Sequence, residues 1–466
     1  MYIMMQTKLN LSTDLVEDKL AESPLQEQTA VAADSIPLLP EKLHWAIQAV
    51  VEPYPDGRKE AMAIMSLPFL GMMGGEARFL YRNQEAHHLG FECCLVGEQT
   101  IGKSALTRMQ NVLISQVIAE DNATRVLMDE YADVCQALGK SGMKPKDPHY
   151  GTRIMMPSTT KAQFYQNIKN MQGKRCIIVC PEIDSLHVAN NWSSDRGTNE
   201  RLMFDTEMGG QDTKTHAGTS ARVPIAVNLV TSGTPKAVMK HYQNTEDGLV
   251  TRVAFCSFPF DLDEELEEQE RSRTNLETIS KIQEILLSES VGDVIEVNQL
   301  KDQQLDWCAQ QKMLSEVSGN QSINIFRKRA AVMGFRAGCL LYLLDGKELT
   351  DEAMAFAHWV SEYVLYFQLK YFGEKMEVSI EENALLMQTP VFVKNSNAWI
   401  FNGLPEVFTY LNVEAAYLEM GRKATGYRMV VKRWIKNGWI EKVDKVRFRK
   451  TAIGLSLFNR QPAVGS

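Results

Sequence analysis

No stretch of this 466-residue chain approaches the roughly 18 consecutive apolar residues expected of a membrane-spanning helix. The best candidate, residues 61–73, is short and interrupted by Pro68. Residues 1–8 lack a basic region followed by an apolar core, so no secretory leader is expected. Eight cysteines stand at 93, 94, 135, 176, 180, 256, 308 and 339, and none forms C-x-x-C. Several lie in apolar, strand-like runs. Reduced, buried thiols in a cytosolic protein explain them better than disulfides or a zinc site. No internal repeat is found. Apolar content of 44% and charged content of 23% are ordinary for a globular chain, which at this length should hold about three domains.

The net charge of −8 hides an asymmetry. Residues 421–450 carry eleven Lys/Arg against two Asp/Glu, a balance of +9, which leaves −17 on the remainder. An acidic body with one basic module does not suggest a uniformly sticky protein. It points to one local anionic partner, and nucleic acid fits that role.

What is present is a phosphate loop. Residues 97–104 read G-E-Q-T-I-G-K-S, which places Gly97, Gly102, Lys103 and Ser104 at Walker A spacing. Glycines let backbone N–H groups curl around phosphate oxygens, and the helix that follows presents its positive end. Gly97, Glu98, Gln99, Thr100, Ile101, Gly102, Lys103, Ser104 and Ala105 would cradle ATP, with Lys103 on the β- and γ-phosphates and the Ser104 hydroxyl on Mg2+. An apolar run at 91–96 leads in and a helix-compatible run from 104 to 118 leads out, the required strand–loop–helix order.

The same site needs an acid at the end of another strand. Residues 175–184, R-C-I-I-V-C-P-E-I-D, supply an apolar strand ending in Glu182 and Asp184. Glu182 is assigned as the acid that orients the attacking water, and Asp184 as the Mg2+-side carboxylate or the cap of the next helix. Residues 227–235 form a further apolar run ending in small polar residues, so Asn228, Thr231 and Ser232 are candidates to sense the γ-phosphate, with a strand end capped by a turn as the alternative. Arg252, among apolar residues on a β-like run, suggests an arginine finger reaching a neighbouring subunit's nucleotide.

The pattern predicts a poorly ordered arm over 1–38, a helical lead-in over 39–89, an α/β P-loop core with a RecA/AAA+-like sheet over 90–260, and a helical lid over 261–380. Strands are expected at 91–96, 153–156, 175–180, 223–231 and 249–258. The acidic run 261–270 reads as a solvated linker or helix.

These landmarks, with Leu39-Pro40, Pro157 to Thr160, Pro181 to Leu186, Ser232 to Pro235, Gly248 to Arg252 and the arginine-bearing stretch 326–336, resemble a P-loop ATPase family. That family is frequent in Bacteroides-type mobile elements and phages, accompanies primase-like modules, and is labelled a domain of unknown function. The similarity spans roughly residues 39–372. It implies a Walker B strand bearing Glu-x-Asp, matched by Glu182 and Asp184. More distantly the chain resembles superfamily 3 helicases, in which a hairpin between Walker B and the sensor strand touches DNA. That likeness places Lys214 and His216 near a DNA-contacting loop tip; a plain exposed loop is the alternative. Arg329 and Arg336, seven residues apart, share a helix face. One is a candidate lid arginine closing over the nucleotide, unless that face is merely solvated or interfacial.

Residues 388–466 read as a winged helix. A helix over 413–420, a turn, a second helix from Thr425 to about Lys436 stopped by Asn437-Gly438, and a small hairpin follow in that order. Arg428, Lys432, Arg433 and Lys436 on the helix, with Arg447 and Arg449 on the wing, are the candidate phosphate contacts. A winged helix used for protein contact is the alternative. The combined expectation is an ATP- and Mg2+-dependent helicase or translocase, assembled as a hexameric ring on single-stranded or forked DNA. It would serve replication or transfer of a mobile element, beside a separate primase or recombinase. The other readings are an ATP-switched DNA-binding regulator or loader, and an anti-phage defence ATPase.

Overall fold

The structure is a computed structural model and describes residues 35–98, 104–139, 145–188, 193–211, 221–244, 248–258, 274–289, 292–388, 397–419 and 426–458. Two compact units divide after Glu381. The acidic run 261–270 and the arm before residue 35 lie outside the described residues.

In chain order the first unit contains strands β1 (Arg78–Leu80), β2 (Ala86–His88), β3 (Glu92–Val96), β4 (Ile154–Met155), β5 (Cys176–Cys180), β6 (Met208–Gln211), β7 (Ala221–Pro224), β8 (Val227–Gly233) and β9 (Val253–Cys256). Five of them form one parallel sheet in the order β4-β5-β8-β3-β9. A parallel sheet covered on both faces favours continuous apolar strands over alternating ones. Accordingly every residue of β3, β8 and β9 is buried. The five predicted runs supply these five strands. The run at 223–231 divides, because Pro224 lacks the N–H a central ladder needs and ends β7 instead. β7 pairs with β6 as an antiparallel hairpin, and β1 pairs likewise with β2.

The helices described for this unit are α1 (Trp45–Val51), α2 (Lys59–Met73), α3 (Ala105–Leu113), α4 (Ser115–Ala137), α5 (Lys161–Asn170), α6 (Ser185–Val188), α7 (Ser193–Asp205), α8 (Pro235–His241), α9 (Leu276–Ser288), α10 (Asn298–Ser318), α11 (Gln321–Leu344) and α12 (Asp351–Gln388), whose last residues, from Glu382, are counted with the second unit. Helix α2 is apolar all round and sits within the main core. Its Pro68 cannot donate to the carbonyl of Ile64, and the Cys93 thiol takes that acceptor at 3.4 Å. Gly71 lets α2 approach the chain entering β3, since a Cβ there would lie 2.6 Å from the Leu89 carbonyl oxygen. Helix α11 also packs tightly on α12 and α10: a Cβ at Gly334 would collide with Ser361 Oγ, and one at Gly338 would lie 2.7 Å from the Leu300 side chain. Among the described residues no helix is long and apolar enough to cross a membrane.

The second unit runs α13 (Asn397–Gly403), β10 (Val407–Thr409), α14 (Tyr410–Glu419), α15 (Tyr427–Lys436), β11 (Ile440–Lys442), β12 (Arg447–Lys450) and α16 (Ala452–Phe458). Its strands form an antiparallel sheet in the order β10-β12-β11. Trp434 is fully buried, edge-on to Phe401 and Phe408. Asn437 caps α15 and Gly438, at φ 72°, turns the chain into β11, as the sequence predicts. Thr425, expected as the cap at the other end, lies outside the described residues.

Candidate nucleotide site

Because the sheet is parallel, the ends of β3, β5 and β8 emerge at one edge, where open α/β sheets bind ligands. The registers match Val96 with Gly233 and Cys180 with Thr231. Backbone bonds stitch the three exits together. Gly97 N–H donates to the Gly233 carbonyl at 3.0 Å, and Ile183 N–H donates to the Ser232 carbonyl at 2.8 Å. The Ser232 hydroxyl donates to the Pro181 carbonyl.

At this edge Glu182 and Asp184 both present exposed side chains. The Glu182 backbone is pinned: its carbonyl accepts from the Ser185 hydroxyl at 2.7 Å, the Ser185 N–H at 2.9 Å and the Cys180 thiol at 3.0 Å. Glu98 is exposed, Gly97 and Ala105 are buried, and Ser104 is exposed immediately before α3. Arg108, one turn on, donates to Ser104 Oγ at 3.3 Å. Gln99, Thr100, Ile101, Gly102 and Lys103 lie outside the described residues.

Glu182, Asp184 and the Ser104 hydroxyl are oxygen donors of the kind Mg2+ takes. No group of three or more His, Cys, Asp or Glu is placed to hold a metal among the described residues. Mg2+ in phosphate sites typically keeps waters and uses one or two carboxylates plus the phosphates, so two carboxylates and one hydroxyl at a glycine-bearing edge are chemically adequate.

The three sensor candidates separate. Ser232 is at the edge. Thr231 is buried one residue earlier, its hydroxyl donating to the Cys93 carbonyl at 3.4 Å. Asn228 lies toward the opposite end of β8 as a fully buried structural amide. Its Oδ1 accepts from Phe91 N–H and Arg175 Nη1, both at 3.2 Å, and its Nδ2 donates to the Pro68 carbonyl at 2.8 Å. In this position Asn228 ties α2 to the sheet and is remote from the phosphate loop.

The three arginines also gather at the far end. Arg252 precedes β9, and Asp205 Oδ2 accepts from its Nε at 3.2 Å and its Nη2 at 3.1 Å. Arg329 Nη1 donates to Asp205 Oδ1 at 2.7 Å. Arg336 is buried, donating through Nη1 to the carbonyls of Gly90 at 2.6 Å and Phe204 at 2.7 Å, with Nη2 3.1 Å from His87 Nδ1. Burial works against the charged Asp205 carboxylate, yet attraction by Arg329, Arg336 and Arg252 holds it below its ordinary range. Burial lowers His87 to about 3, so the ring is neutral and accepts from Arg336. Burial also pulls Arg336 down to about 9, against the pull of Asp205.

This geometry corrects the lid expectation. Gly90 and Gly97 are separated by roughly 20 Å of extended chain, so neither Arg329 nor Arg336 lies over the chain's own phosphate loop. Arg336 is a core arginine. Asp205 and Phe204, which organise the cluster, were not evident in the sequence, where nothing links positions 205, 252 and 329.

In the second unit Arg428, Lys432, Arg433 and Lys436 are exposed on α15, while Val430, Val431 and Trp434 turn inward. Arg447 and Arg449 are exposed on β12, Arg447 bonded to Asp444 at 2.6 Å and Arg449 3.6 Å from Glu441. Lys214 and His216 lie outside the described residues; the β6–β7 hairpin flanks them on both sides.

No protein-family model matches the chain. No curated protein matches it either.

Proposed function

We propose that this chain is a Mg2+-dependent ATPase of the RecA/AAA+ kind that moves along or unwinds DNA, in replication or transfer of a mobile element. The carrying observation is the stitched edge. A Walker A sequence, an acid-bearing strand end and Ser232 meet there, with β8 inserted between the other two strands. In this reading Lys103 would neutralise the β- and γ-phosphates, and the Ser104 hydroxyl, which accepts from Arg108 in this structure, would hold Mg2+. Glu182, its backbone fixed by three donors, orients the attacking water. Asp184 serves the metal side. Arg252 cannot reach its own nucleotide, which supports its assignment to a neighbouring subunit in a ring.

The order helix–strand–helix–helix–strand–strand in the second unit supports the winged-helix reading, with α15 and β12 as the DNA-facing elements. The β6–β7 hairpin, between the acid-bearing strand and β8 in sequence, supports a second DNA contact near Lys214 and His216.

A forked DNA duplex incubated with ATP and Mg2+ tests the reading. Strand displacement is expected, abolished by Lys103→Ala. Glu182→Gln should retain ATP binding and slow hydrolysis by a factor of about 10² or more. Turnover that survives Lys103→Ala would remove the ATPase assignment. ATP-dependent DNA binding with no displacement would assign the chain to the loader class instead.

A further inference from the structure

Asp205 has one carboxylate and is within charge reach of three guanidinium groups, a surplus of positive charge at the sheet end away from the phosphate loop. The neighbouring carboxyl of Glu92 does not balance it. That group is fully buried, neither of its oxygens has a hydrogen-bond partner among the described residues, and burial raises it well above the ordinary range. Glu200, also nearby, is 3.2 Å from His241. The surplus is not sealed in: the side chains of Arg252 and Arg329 are 16% and 29% exposed.

The two exposed arginines differ in what they have left to give. Arg252 uses Nε and Nη2 on Asp205 and Nη1 on the Gly248 carbonyl at 2.9 Å. Arg329 uses only Nη1; its Nε and Nη2 donate to no protein group among the described residues. Its guanidinium carbon also lies 5.4 Å from the centre of the Phe204 ring. A guanidinium fixed by a short charge-assisted bond and an aromatic face, with a second pair of donors open, is built to donate to a pair of phosphate oxygens.

We propose that Arg329 is a second arginine delivered to the nucleotide of an adjacent copy, and that Asp205 is the positioning residue presenting Arg329 and Arg252 together. The inference rests on the ring-ATPase reading above. The phosphate belongs to ATP in a second copy of the chain, because the arginines lie roughly 20 Å from their own phosphate loop along the strands. Asp205 separates the two roles by splitting its oxygens: Oδ2 holds Arg252 by two donors, and Oδ1 holds Arg329 by one.

The test uses the full-length chain, with steady-state ATP turnover, ATP affinity and thermal unfolding measured for Arg252→Gln, Arg329→Gln, Arg329→Lys, Asp205→Asn and Lys103→Ala. Arg329→Gln should lower kcat about 10- to 100-fold while ATP affinity changes less than about threefold. Arg329→Lys should fall nearly as far, because it keeps the charge and loses the fork. Asp205→Asn should lower kcat in the same way; if it fails to fold, the two Arg329 variants carry the test. Mixing Arg329→Gln with Lys103→Ala should restore turnover, since one interface then pairs an intact phosphate loop with an intact Arg329. Turnover by Arg329→Gln within twofold of the unaltered chain overturns the proposal. So does a loss that no mixing ratio rescues in oligomers confirmed as mixed. A weakened, less salt-sensitive DNA affinity with unchanged DNA-free turnover would assign the open fork to a DNA phosphate and overturn it as well. If Lys103→Ala itself hydrolyses ATP, the ATPase reading fails. If Lys103→Ala is inactive, Arg252→Gln is rescued by it, and Arg329→Gln is fully active, only the present inference fails.

Discussion

Glu92 opens the strand that feeds the phosphate loop, and it is 2% exposed. Burial raises its carboxyl well above the ordinary range, with the charge of Glu200 adding to the effect and Arg252 opposing it. The folded chain therefore keeps a proton that the unfolded chain releases above about pH 4.5. The sign follows: this contribution to stability is complete below the unfolded value and is lost as pH rises through the window above it. While the extra proton is held, the loss runs at about 1.4 kcal/mol per pH unit. Glu92→Gln removes the proton but keeps the shape. Urea titrations between pH 5 and 8 should show the unaltered chain weakening with pH more steeply than Glu92→Gln. Parallel curves would mean that Glu92 is ionised in the fold.

At the scale of elements, the tightest of the glycine contacts lies between two helices. Gly334 on α11 faces Ser361 and Ala357 on α12, where an added Cβ would collide with Ser361 Oγ and stand 2.5 Å from the Ala357 carbonyl oxygen. Two helix backbones cannot part by a few tenths of an ångström without loosening the packing along their length. Gly334→Ala should therefore cost about 1–3 kcal/mol despite a gain in helix propensity, readable as a lowered denaturant midpoint at unchanged m-value. Elements also mark how far the sequence could be read. The five parallel strands were legible because buried parallel strands are unbroken apolar runs such as Cys93 to Val96. The hairpin β1–β2 and the edge strand β10 were not, since three residues carry too little periodicity and depend on their partners; a hairpin where β6 and β7 pair was expected only through the helicase likeness, not from the residues' own pattern. Arg329 and Arg336 do share a helix face and both approach Asp205 Oδ1, as a seven-residue spacing allows. Which end of the sheet that face meets is set by packing 124 residues away in sequence, and no local pattern encodes it. Asn228 was misplaced for a related reason: its strand was evident, but which end of it lay beside the phosphates depended on strand direction.

Across the whole molecule the charge asymmetry makes a prediction independent of the nucleotide site. Arg428, Lys432, Arg433 and Lys436 are exposed on α15 and Arg447 and Arg449 on β12, whereas the acidic remainder should repel DNA. Reversing Arg428, Lys432 and Lys436 to Glu should weaken DNA binding across sequences. It should flatten the slope of log affinity against log salt by roughly 0.9 for each duplex phosphate no longer neutralised, or about 0.7 on single strands. DNA-independent ATP turnover should persist. Unchanged affinity and slope in a folded triple variant would show that α15 faces a protein. The order of strands in the central sheet has a different consequence, one of time. β3 is an inner strand flanked by β8 and β9, yet it leaves the ribosome well over a hundred residues before either neighbour. At translation rates of about 5–20 residues per second, Cys93, Cys94, Leu95 and Val96 wait roughly 8–30 s for Cys256 to be made. Until β8 is made this apolar strand has two unpaired edges, and until β9 is made it has one, so a nascent chain stalled before residue 227 exposes both edges to a neighbour on the same message. Safe synthesis of this protein thus depends on how quickly its last core strand arrives.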